Sequence, residues 1–346
     1  VTAVREAVDV AVSFYAAQAR LGRKTANRVQ RLWRTLDRGN LTDSWTTLVG
    51  PAVVEAVTAG QLAAAAQADP YLDAIEAADG VEPEPDGQVR AAAFAGIASD
   101  GRPLDTLLHL PIITTKQAIG AGAADVDAMM RGLNQLLRMS ATQVADAGRT
   151  AVGAGIAGRR TIQGYIRVAA APCCARCAIL AGKEFGWNRG FQRHPQCDCI
   201  HMPATLIARG RGGRGRMLPD RPGMVTNPSD YFASLSRREQ ERIFTVAGAR
   251  AIRDGADITS VVNARRGMYT ASAYGRQLRA TREGTTTRGA FYRTERARAI
   301  AAGQVPANVG RGFRLRTPRL MPEEIYRLAG SRDEAIAMLR RFGYLT

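Results

Sequence analysis

Apolar residues recur at intervals of three and four from the start of the chain, at Val4, Val8, Ala11, Phe14, Tyr15 and Ala19. That spacing lines one face of an amphipathic helix. The face continues through Val29, Leu32, Trp33 and Leu36, beside a basic stripe of Arg20, Arg23, Lys24, Arg28, Arg31, Arg34 and Arg38. Such a stripe is ordinarily a solvated helix face; its functional reading is contact with DNA or an acidic neighbour. Gly39-Asn40 stops the helix, and Thr42 or Asp43 can cap a short one. Gly50-Pro51 then starts another that runs through an alanine-rich stretch to Asp69-Pro70. Residues 71–78 add a short helical piece, and the acidic, proline-broken run 80–87 is a loop signal.

Residues 90–97 suit a short helix or strand, and Asp100-Gly101-Arg102-Pro103 a turn. His109, isolated within 104–112, fits a packed or surface residue better than a ligand. From 114 to 156 the helical period returns, with Met129, Leu133, Leu136, Leu137, Val144 and Val152 as core candidates. Gly153, Gly155 and Gly158 match G-x-G-x-x-G literally. What precedes them is helical, and no acidic residue follows about twenty positions on, so no dinucleotide site is expected.

Residues 165–170 and 197–202 are strand candidates, with Leu180 and Phe185 packed under them. Arg209, Arg211, Arg214 and Arg216 sit in a Gly/Arg run that cannot build a core. It is an exposed loop, read either as a solvated linker or as a nucleic-acid-binding segment. Helix resumes over 236–254, where Ser236 and Glu239 have capping-box spacing. An arginine-rich stretch, 269–316, contains a turn at 284–289, and a last amphipathic helix lies between Pro322 and Gly343. The expected fold is mainly α with a small α+β zinc-stapled module. Four segments are expected: a helical N-terminal region (1–150), a Cys/His module (151–205), a basic Gly/Arg and Pro-rich loop (206–230) and a basic helical C-terminal region (231–346).

Composition adjusts this picture in three ways. The chain is 46% hydrophobic but only 6% aromatic, so small-residue helix packing should dominate. No run is expected to reach the apolar length that spans a bilayer, and Arg5, Glu6 and Asp9 interrupt any signal-peptide core at the start. Valine in first place suggests an alternative start codon or a processed end. Charge is split: residues 1–150 hold 14 basic and 17 acidic side chains, a net of −3, while 151–346 hold 34 and 14, a net of +20. Such asymmetry points to a polyanion beside the C-terminal half.

The sharpest chemistry lies between Pro172 and Pro203. All five cysteines (Cys173, Cys174, Cys177, Cys197, Cys199) and two of the three histidines (His194, His201) fall there. Cys174-x-x-Cys177 is the turn spacing that lets two thiolates reach one ion, and His194-x-x-Cys197-x-Cys199 supplies the other side. Thiolates with imidazole suit tetrahedral zinc. Five candidate ligands, with His201 a sixth, exceed a tetrahedron, and the spacing does not choose among them. If 197–201 is a strand, Cys197, Cys199 and His201 share a face. An odd cysteine count with two adjacent cysteines argues against a disulfide framework, and reduced thiols fit synthesis in a cytoplasm.

R-C-A-I-L-A-G-K-E-F at 176–185, followed by G-F-Q-R-H-P-Q-C-D-C-I-H-M-P at 190–203, resembles the signature of the Mu F-like (MuF) minor head proteins of tailed bacteriophages. The form found in phages of actinobacteria is the most similar. The resemblance extends through Y-F-A-S-L-S-R-R-E-Q at 231–240, G-A-D-I-T-S-V-V-N-A-R-R-G-M at 255–268 and L-M-P-E-E-I-Y-R-L-A at 320–329. It implies a minor capsid, head-morphogenesis protein that joins the procapsid in a few copies close to the portal. The implied partners are the portal protein, major capsid or scaffolding proteins, and packaged double-stranded DNA held without sequence readout; no membrane is involved. The virion would be its final location and the host cytoplasm its place of assembly. The alternative class is an enzyme, a zinc-dependent nuclease or capsid maturation protease. G-x-S-x-G, Walker and H-E-x-x-H motifs are all missing, and a site this rich in sulfur suits closed, structural zinc.

Overall fold

The computed structural model describes residues 2–190, 199–205, 224–309 and 312–345. The chain is mainly α-helical with small sheets. Its contacts divide it into two compact units, one of residues 1–170 and 182–224, the other of 171–181 and 225–346. This division does not follow the four segments drawn from sequence. The strands between residues 162 and 205 share a core with the N-terminal helices, whereas residues 171–181 group with the C-terminal part.

The first unit is built on α1 (Thr2–Trp33), α2 (Leu41–Ser44), a π-helical turn (Trp45–Val49), α3 (Gly50–Ala65), α4 (Ala68–Ala78), α5 (Leu104–Gly120) and α6 (Asp125–Ala157). The apolar face read from the first residues is real: Val8, Ala11, Val29 and Trp33 are buried, and the seven basic residues of the stripe are all solvent-exposed. Asn40, rather than Thr42 or Asp43, caps α2. Its Oδ1 accepts the Asp43 N–H at 3.3 Å, three residues on, which is the reach of an N-cap. The expectation that no run reaches membrane-spanning length fails for Leu41–Ala78. That stretch passes by length and composition, and its Pro51 and Pro70 sit in first turns, where proline is tolerated. Half of its most apolar window is buried, with Trp45, Val49, Val53 and Val57 in the core shared by α1, α5 and α6.

Small residues set the helix spacing. On α6, Gly132 faces α5 and α1 so closely that a Cβ would strike Thr115 Oγ1 and stand 2.9 Å from both the Pro111 carbonyl and the Trp33 ring. Gly132→Ala is therefore expected to lower stability by about 1–3 kcal/mol through overpacking, although alanine is the better helix former by about 1 kcal/mol. A urea melt with an unchanged or raised midpoint would contradict that contact. Residues 153–157 are helical, and Gly155 packs against Leu72 and Val89, so the G-x-G-x-x-G match is a packing feature.

Beyond α6, β1 (Ile162–Ala170) lies between β2 (Glu184–Gly186) and β3 (Cys199–Thr205), antiparallel to both. Ile166, Val168, Ile200 and Met202 join Leu72, Ile75, Val152 and Ile156 in one core. Both strands were legible in the sequence, with β1 starting earlier and β3 ending later than expected. In sequence, β4 (Met224–Val225) follows.

The second unit carries a three-stranded sheet, β5 (Met268–Ala273), β6 (Arg276–Thr281) and β7 (Arg319–Leu320), among short helices. This corrects the purely helical reading of the C-terminal region. The Ser236–Glu239 capping box is present, but the helix over 236–254 is two helices, Arg237–Phe244 and Val246–Arg253. Thr245 separates them at φ 70°, its Oγ1 accepting the Gly248 N–H at 3.2 Å. The expected last helix is also two, Pro322–Leu328 and Arg332–Arg341, with Ser331 capping the second. Phe291, Leu320, Ile325, Leu339, Phe342 and Tyr344 form the core. Arg319 is buried there, donating to the Phe342 and Glu283 carbonyls at 2.7 and 2.8 Å and lying over the Tyr344 ring. Burial draws its guanidinium below the ordinary arginine value.

Candidate functional site

Cys174 and Cys177 lie in the second unit, on a single helical turn, α7 (Ala175–Ala178). Cys174 is the N-cap, and its Sγ accepts the Cys177 N–H at 3.4 Å. The C-x-x-C pair is thus folded into one tight turn, with the first sulfur capping the second cysteine's amide. Cys177 is buried and Cys174 exposed. The turn is held from behind by Tyr231, on the helix Pro228–Ser234. The Tyr231 hydroxyl donates to the Cys173 carbonyl and accepts the Cys173 N–H, both at 3.0 Å. Burial is the main reason its phenol is pushed up to about 12, so it stays protonated and keeps both bonds at any physiological pH. Sequence alone assigned Tyr231 no structural role, because its partner is backbone 58 positions earlier.

Cys199 opens β3 in the first unit and is fully buried. It pairs with Ala169, and His201 pairs with Arg167. Strand alternation therefore puts Cys199 and His201 on one face with Arg167 and Tyr165, opposite the Ile200 and Met202 face. The sequence expectation that alternate residues share a face holds for this pair. Arg167, itself 1% exposed, donates from Nη2 to Cys199 Sγ at 3.0 Å. Arg149 on α6 donates from Nε to the Cys199 carbonyl at 2.7 Å and pairs with Asp146 at 3.1 Å. The His201 ring lies 4.2 Å from the Tyr165 ring, and its carbonyl accepts the Tyr71 hydroxyl at 2.9 Å. An arginine inside a strand ordinarily signals exposure, so Arg167 escaped the sequence reading.

His194 and Cys197 lie outside the described residues, as do Arg209, Arg211, Arg214 and Arg216. Among the described residues, no group of three or more His, Cys, Asp or Glu side chains is placed to hold a metal. The donor chemistry of the Cys174–Cys177 turn fits zinc as half of a tetrahedron. His109 is half-buried, its ring edge-on to Trp45 at 6.4 Å, in keeping with a packed residue.

A second polar centre, unforeseen from sequence, lies in the first unit. Asp69, Asp73 and Glu76 on α4 surround Arg159, which follows the end of α6. Arg159 pairs with Asp73 at 2.6 Å, with Asp69 at 3.5 Å and with fully buried Glu76, whose other oxygen accepts the Thr161 hydroxyl. Burial opposes the charge on Arg159, but the hydrogen bonds and charges of Asp73 and Glu76 outweigh it and raise its affinity for the proton. The i, i+4, i+7 spacing of the acids was visible; their partner, 83 positions from Glu76, was not. This is a structural brace between α4 and the entry to β1.

No protein-family model, curated protein or solved structure matches this chain.

Proposed function

We propose that the protein is a minor capsid component of a tailed bacteriophage, acting in head assembly beside the portal and touching packaged DNA through charge alone. The observation that carries this reading is the charge split. The portion after residue 150 is net +20, and the arginines among its described residues are largely on the surface. A polyanion met by exposed guanidinium groups is bound through phosphate contacts and counterion release, with no base readout. The Cys/His phrases that resemble Mu F-like head proteins support reading that polyanion as the DNA of a phage head. Portal, capsid or scaffolding proteins are the neighbours, and Arg209, Arg211, Arg214 and Arg216 add phosphate contacts.

Zinc belongs to the same proposal. Cys174 and Cys177 supply two thiolates, and the remaining ligands come from His194, Cys197 and Cys199. Its role is structural: a sulfur-rich set leaves no open position for a nucleophilic water. We assign the protein no catalytic activity. In lysates of infected cells the chain should sediment with procapsids and filled heads. Recovery solely among free proteins would contradict the assignment.

A further inference from the structure

A cleft of about 530 Å³ opens in the second unit between the helix Ala290–Ala301 and the segment that returns along it. Its volume falls within the range of ligand pockets, about 300–1,000 Å³. The return segment is fixed to the helix at two points. Tyr292 donates its hydroxyl to the Phe313 carbonyl at 3.1 Å, and Arg296 donates to the Ala307 carbonyl at 3.2 Å. Burial then alternates: Phe313 and Leu315 pack inward while Arg314 and Arg316 are exposed. Arg298 and Arg341 complete four arginines lining the cleft, beside Val305, Val309 and Phe313.

Among the described residues, one carboxylate, Glu295, lines the cleft. It is already occupied: Arg341 takes both oxygens at 3.0 and 3.3 Å, and Arg298 stands 3.9 Å away. Glu295 thus orients two guanidinium groups without neutralising the cleft. Among the described residues, no carboxylate pairs with Arg314 or Arg316. Four guanidinium groups lining one cleft match the oxygens of phosphate. We propose that this cleft seats the phosphodiester backbone of nucleic acid through Arg298, Arg314 and Arg316. The inference rests on the DNA contact proposed above and gives it a location.

The test is fluorescence anisotropy of the full chain with a labelled random-sequence duplex across a salt series. Arg314→Gln with Arg316→Gln should reduce the slope of log affinity against log salt by about 1.8, at about 0.9 per lost contact, equally on a second sequence. Arg298→Gln, alone, should reduce it by about 0.9. A charge-matched control, Arg238→Gln with Arg276→Gln, should leave the slope unchanged. If the wild type binds steeply and the cleft variants, folded by circular dichroism, bind just as steeply, the cleft assignment falls and the DNA reading stands. An equal loss in the control also overturns it. If the wild type shows no salt-dependent binding, both fall. Inorganic tripolyphosphate that binds the wild type and is lost in the cleft variants, while duplex affinity is untouched, would reassign the cleft to a free phosphate ligand.

Discussion

Replacing Cys177 by serine should strip the chain of metal and unfold the segment around α7. In the proposed site each thiolate is one of four ligands, and apparent binding free energies of structural zinc run to about 10–16 kcal/mol. That matches or exceeds the whole stability of an ordinary domain, about 5–15 kcal/mol, so losing the ion cannot be absorbed locally. Cys174→Ser should behave alike, since Cys174 also caps the turn through its sulfur. Cys173→Ser is the informative control. Cys173 is held through its backbone by Tyr231, so this variant should keep its zinc. Elemental analysis of protein purified under reducing conditions should find one zinc per chain in the wild type and the control. Wild-type protein without zinc and with its cysteines paired in disulfides would end the metal assignment.

Arg159→Met should cost about 3–5 kcal/mol, the usual price of stranding a buried charge. Glu76 is 0% exposed, and the Arg159 side chain is 1% exposed; without the guanidinium, the carboxylate keeps, among the described residues, only the Thr161 hydroxyl to answer it. Asp73 and Asp69 are partly solvated and can turn to water, so the loss falls on Glu76. The double variant Arg159→Met, Glu76→Leu should regain most of the stability, because a well-packed apolar pair often replaces a buried ion pair without loss. A thermodynamic cycle over the four proteins by urea denaturation measures the coupling. Coupling below about 0.5 kcal/mol would show the two residues acting independently.

The parts of the fold that sequence made legible are those where local chemistry and burial agree. The face of α1, the long α6, the Ser236 capping box and the β1 strand each carry their signal within a few residues. The β5–β6 hairpin shows why other parts stayed hidden. Its strands expose Thr270, Ser272, Gln277 and Arg279, so apolar alternation is weak. Its turn uses Tyr274 and Gly275, both at positive φ, in place of the Asn-Gly pair that advertises such turns. Arg159, Arg167 and Arg319 fail for another reason. A buried arginine has the same letter as a surface one, and its partners here lie 23 to 90 positions away. Among the candidate ligands, the C-x-x-C turn was readable because its geometry is local.

The central claim is a place in a phage particle, and cryo-EM of that particle without imposed symmetry tests it most directly. The account predicts density for this chain at the portal vertex, in a few copies, inside the shell and against the outermost layer of packaged DNA. Particles in which the portal vertex is fully explained by other chains, with this one missing from both procapsids and filled heads, would contradict it.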